Sequence, residues 1–74
     1  MSKLPRISGR ECRRALEKAG YYFKRQTGSH MIFQRDDPPG RVTVPNHREI
    51  HKGTLREILR ESGLTVDELI ELLQ

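Results

Sequence analysis

Apolar positions along this 74-residue chain fall into a helical period, then strand periods, then helical periods again. Cys12, Ala15, Leu16 and Ala19 recur at i, i+3, i+4 and i+7, while Arg10, Arg13, Arg14, Glu17 and Lys18 take the positions between. Ser8 followed by Glu11 predicts a capping box at the start of this helix, with Ile7 and Cys12 placed as its hydrophobic staple. Gly20 predicts its end, where the backbone commonly turns left-handed.

The period then changes. Tyr21 to Gln26 reads as a strand with Tyr21 and Phe23 on one face, Thr27-Gly28-Ser29 as a turn, and His30 to Gln34 as a second strand. Together they predict a β-hairpin. Which face of the second strand is buried stays open, because Ile32 opposes Met31 and Phe33 and all three are apolar. Asp36-Asp37-Pro38-Pro39-Gly40 predicts a loop, Arg41 to Val44 a short third strand stopped by Pro45, and Asn46 to Lys52 a second loop. A second helix is expected from Gly53-Thr54 to about Ser62, with Leu55, Ile58 and Leu59 on one face and Gly63 at its end. Thr65 with Glu68 forms another capping box, stapled by Leu64 and Leu69. It opens a third helix whose stripe is Val66, Leu69, Ile70 and Leu73. The order α-β-β-β-α-α predicts an α+β fold: a three-stranded antiparallel sheet with helices on one face, forming a single domain over residues 1–74. Gly28-Ser29-His30-Met31 looks like an expression-tag scar, but its place between two strand patterns assigns it to the fold.

Composition narrows the picture. A domain of this length has a thin core, and such folds often lean on disulfides, a metal or a partner. One cysteine, Cys12, excludes an internal disulfide, and one Cys with three His does not readily build a closed zinc site. A partner is left. No apolar run has the length of a membrane span, and the start of the chain lacks a signal-peptide core, so a cytoplasmic protein is expected. Charge is polarised. Residues 1–35 carry nine basic residues against two acids, a net of +7, whereas residues 36–74 carry five against eight, a net of −3. The basic half could attract a polyanion such as nucleic acid, or could simply be a solvated surface.

Three histidines are candidates for chemistry. His30 opens a strand directly after the Gly28-Ser29 turn, with Lys24 and Arg25 across the hairpin. Turn N–H groups can meet a phosphate closely where glycine offers no side chain. A proton-transfer group beside a phosphate cradle is what RNA strand scission needs: a base takes the 2′-OH proton, and an acid protonates the departing 5′-oxygen. No metal is required, since the nucleophile is already in the substrate. Spacing alone favours the plainer reading, a surface histidine at a strand end. His47 and His51 lie four apart, but between Pro45 and the second helix, where a metal pair is disfavoured and no third ligand stands out beyond Glu49. His47 reads better as a structural loop group or a second proton-transfer group. Lys52, entering the second helix, suits a phosphate or an ordinary solvated cap equally. Cys12 reads as core, most of Tyr21, Tyr22, Phe23 and Phe33 as buried rings, and Asp36-Asp37 as a turn.

Several segments together resemble one family: Lys3-x-Pro5, Ser8-Gly9, Leu16-Glu17-Lys18-Ala19-Gly20, Gly28-Ser29-His30, Val44-Pro45-x-His47, and Gly53-Thr54-Leu55 with Ile58-Leu59. Each is weak alone, but in this order and spacing the chain is similar to the HicA family of small bacterial toxins. These are partners of HicB antitoxins in type II toxin–antitoxin modules. The resemblance implies a metal-independent ribonuclease, without cofactor, that cleaves mRNA. It implies a fold like the double-stranded-RNA-binding domain, and a HicB-like antitoxin that covers the active histidine. The family's catalytic histidine is the one in Gly-Ser-His, here His30. His47 matches a family histidine whose role stays open. Lys24, Arg25, Gly28, Ser29, His47 and Lys52 are the candidate RNA contacts. The last helix departs from relatives in lacking an aromatic. The competing expectations are an RNA-binding module without catalysis, and a protein whose activity has decayed, leaving antitoxin binding as its main role.

Overall fold

The structure is a computed structural model that describes residues 3–74. Its elements run α1 (Gly9–Lys18), β1 (Tyr22–Thr27), β2 (His30–Asp36), β3 (Pro39–Pro45), α2 (Lys52–Ser62) and α3 (Val66–Leu72), an α+β fold in the expected order. The strands form one antiparallel sheet in the order β1-β2-β3. No helix among the described residues is long and apolar enough to cross a membrane.

Both capping boxes form. The Ser8 hydroxyl accepts from the Glu11 N–H at 3.0 Å while the Ser8 N–H donates to the Glu11 carboxylate at 2.9 Å. These two hydrogen bonds hold the Glu11 carboxyl below its ordinary pKa. Thr65 and Glu68 repeat the exchange on α3, and Gly63 ends α2 in the left-handed region. The core is one cluster joining all three helices to one face of the sheet: Cys12, Ala15 and Leu16 from α1, Met31 and Phe33 from β2, Val42 and Val44 from β3, Leu55 and Ile58 from α2, Leu69 from α3. That membership settles the direction of β2. Met31 and Phe33 face the helices, so Ile32 faces the opposite side. Ile32 is nevertheless only 7% exposed, because β2 is the central strand and Arg25 and Thr43 flank it as cross-strand partners.

Several expected boundaries move. Tyr21 precedes β1 rather than opening it; its ring is buried beneath the Arg35 guanidinium, 4.4 Å from the ring centre. The stretch Asp36 to Gly40, expected as loop, is mostly ladder. Asp36 pairs with Pro39 and Arg35 with Gly40, so only Asp37-Pro38 turns. Pro39 is tolerated there as the first residue of an edge strand, where its missing N–H breaks no bond. β3 likewise includes Pro45, and α2 begins one residue early, at Lys52.

Cys12 is fully buried, and desolvation pushes its thiol up to about 12. The neutral thiol should therefore resist iodoacetamide at pH 8 in the native protein and react fully in denaturant; mass spectrometry of both samples checks this. The same shift makes stability fall as pH rises from about 9 towards 12, since the thiol then ionises first in the unfolded chain.

Candidate active site

The β1–β2 turn holds two residues, Gly28 and Ser29, between the paired Thr27 and His30. Gly28 has φ +59°, and no other turn residue has positive φ, the pattern of a type II′ hairpin with glycine first. Nothing lies within 4 Å of where a Gly28 side chain would start, so the turn is open to an approaching group. Both turn carbonyls are engaged. Gly28 O accepts from the Gln26 amide at 2.9 Å, and Ser29 O accepts from the Asn46 N–H at 2.6 Å. With both carbonyls occupied, the turn has no free carbonyl oxygen to repel an approaching anion.

His30 follows the turn and is exposed. It shares parity with Ile32 and Gln34, so it stands on the helix-free face of the sheet. Its cross-strand partners are Thr27 and Pro45. Among the described residues, nothing hydrogen-bonds the His30 ring. A group in this position can exchange a proton with a bound substrate without first breaking an internal contact.

The basic residues reach this face through a bulge. The β1–β2 register shifts between Phe23 and Arg25. Phe23 packs on the helix side, 5.8 Å from the Phe33 ring, and carries the Arg13 guanidinium 4.7 Å from its centre. Uninterrupted alternation would put Arg25 and Thr27 on that side too. The extra residue reverses the parity, so Arg25 pairs with Ile32 and Thr27 with His30 on the open face. Lys24, in the bulge, also points there: its ammonium donates to the Gln34 side chain at 2.8 Å. Lys24 and Arg25 thus share the face of His30, Arg25 two positions from it across the ladder and Lys24 farther along at Gln34, with Gly28 and Ser29 at the turn.

His47 comes close through the loop after β3. Pro45 pairs with His30, Asn46 is bonded to Ser29, and the His47 carbonyl accepts from the Gly9 N–H at 2.8 Å. Gly9 fits because it has no side chain: a Cβ there would lie 2.3 Å from the Pro45 carbonyl oxygen. The start of α1 is therefore laid directly on the backbone beside the turn. Glycine in the first helical turn, where most residues have better helix propensity, is the sequence signal for this close approach. Lys52 lies elsewhere, in a broad groove with Lys3, Arg6, Arg56 and Leu64, between the leading segment and α2. His51 shares that groove and caps α2 without a side-chain hydrogen bond. Among the described residues no three His, Cys, Asp or Glu side chains cluster as a metal site.

A family model described as HicA toxin of bacterial toxin–antitoxin matches residues 9–64. The match begins at the first residue of α1 and ends before the α3 cap, so it contains every candidate site residue and excludes α3. No curated protein matches the chain.

Proposed function

Because the chain belongs to the HicA family of toxins from bacterial toxin–antitoxin modules, we propose that it is an endoribonuclease that cleaves mRNA with His30 as a proton-transfer group. The observation that carries this reading is an exposed histidine whose ring no described residue hydrogen-bonds, beside an open glycine turn and on the same face as two bulge-directed cations.

The scissile phosphate lies against the Gly28-Ser29 turn beside His30, with Arg25 and Lys24 adding positive charge along the RNA backbone farther down the same face. His30 exchanges a proton with the 2′-OH or with the 5′-oxygen. One histidine cannot serve as both base and acid within one step, so a second group or water takes the other role, and His47 is the nearest candidate along the chain. Attack of the 2′-oxygen forms a new P–O bond as the P–O5′ bond breaks. The products are a 2′,3′-cyclic phosphate and a 5′-hydroxyl end. A HicB-like antitoxin neutralises the toxin by covering this face.

Purified protein incubated with RNA in EDTA should yield fragments with those two ends, identified by mass spectrometry. A 2′-deoxy nucleotide at the cut site should stop cleavage there. Salt-dependent RNA binding with no product would instead support a binding module without catalysis.

A further inference from the structure

The helix-free face of the sheet carries two exposed side chains that the chemistry at His30 does not use. Tyr22 is paired with Gln34 on this face and is 44% exposed, the one large hydrophobic side chain so exposed among the described residues. Its hydroxyl donates to the Asp36 carboxylate at 3.1 Å, which fixes the ring across the strands. Arg41 pairs with Gln34 from the other side, and alternation with buried Val42 places it on the same face. Arg25 and Arg41 are exposed and have no acidic partner among the described residues. Asp36, bound to Tyr22, is the acid that the strands bring to this surface, and Glu61 reaches only the outer edge of β3, at the Thr43 N–H.

From these positions the geometry points to the open sheet face as a track for single-stranded RNA, running from His30 to Tyr22, on which Tyr22 stacks a base and Arg25 and Arg41 hold flanking phosphates. The inference rests on RNA being the substrate. An exposed ring flanked by unpaired cations is the combination that single strands use, because an unpaired base offers its flat face and the backbone its charge. A duplex has its base faces already stacked, so the ring would have nothing to meet. Gln34 is four residues from His30, about 13 Å along the strand. Tyr22 therefore meets a base beyond the cut and acts on binding rather than on the chemical step.

The test uses His30→Ala protein for binding, so that RNA stays intact, and otherwise unmutated protein for cleavage. The probe is a short labelled oligoribonucleotide, single-stranded or annealed to its complement. Tyr22→Ala should weaken single-strand binding roughly 5- to 150-fold and raise KM with kcat unchanged, whereas Tyr22→Phe keeps the ring and most of the affinity. Arg41→Gln should reduce the slope of log K against log salt by about 0.7. Arg56→Gln, in the groove by α2, should change neither. Unchanged affinity in both Tyr22→Ala and Arg41→Gln, or equal affinity for duplex and single strand, would overturn the track. So would loss of antitoxin binding with RNA affinity intact, which would make the face a protein surface only. If the unmutated protein binds through Tyr22 but does not cut, the track stands and the ribonuclease reading fails; cleavage with neither variant altered fails the track alone.

Discussion

On the proposed ribonuclease reading, His30→Ala should lower the rate of RNA cleavage by roughly 10²- to 10⁴-fold, the usual contribution of a positioned acid or base. The same substitution should leave the protein folded. His30 is exposed, and no described residue hydrogen-bonds its ring. Surface substitutions away from special features usually change stability by less than about 0.5 kcal/mol. Single-turnover cleavage together with a thermal melt separates the two effects, and His30→Gln keeps a polar side chain of similar reach without the titrating ring. Growth arrest on induction should disappear with the activity. Cleavage by the folded variant at the unmutated rate would move the proton transfer away from His30, with His47→Ala the next variant to measure.

Gly9→Ala should destabilise the protein by about 1–3 kcal/mol, the usual range for overpacking. Propensity argues the other way, since alanine exceeds glycine in a helix by about 1 kcal/mol. The clash decides the sign. The new Cβ would sit 2.3 Å from the Pro45 oxygen, 3.0 Å from the Asn46 Cα and 3.3 Å from the His47 nitrogen. All three are backbone atoms, so no rotamer change relieves the contact. At about 4–8 °C per kcal/mol for a domain this small, the melting temperature should drop by at least several degrees. Gly53→Ala is the control, because nothing lies within 4 Å of its Cβ position and it should be neutral or stabilising. Whatever Gly9→Ala protein remains folded should also cleave poorly. Pro45 is the cross-strand partner of His30, and a displacement of about 1 Å near reacting groups can cost about 10²-fold. A melt unchanged from the parent would show that α1 and the loop part freely.

The helices were legible because their signals are local. Ser8 with Glu11 and Thr65 with Glu68 are each three residues apart, and each pair forms the bonds its spacing predicts. The sheet was less legible because its ends are set by partners far along the chain. Asp36 to Gly40 has the composition of a loop, yet Asp36 and Pro39 close a ladder held by β2 and β3. The bulge at Lys24 leaves no mark in an all-polar stretch, so the sequence could place Lys24 and Arg25 across the hairpin from His30 but not on its face. Tyr22 was expected among mostly buried rings. The core took Tyr21 and Phe33, half-buried Phe23, and left Tyr22 outside. The match to the HicA family carries the toxin assignment, while the proposed role of His30 comes from the Gly28-Ser29-His30 resemblance taken together with the exposed position of its ring.

The same bulge bears on how copies of the protein tolerate one another. β1 is an edge strand, with no neighbour beyond it in the sheet among the described residues. A straight, apolar edge is a template on which another chain can build, and a small protein made in quantity would be prone to aggregate through it. Here the edge is bent at Lys24, and every residue from Lys24 to Thr27 is exposed and polar, two of them cationic. Two such edges repel and do not align. The irregularity that turns Arg25 onto the face of His30 thus also disfavours edge-to-edge association, so straightening β1 by deleting Lys24 should lower solubility as well as the proposed RNA binding.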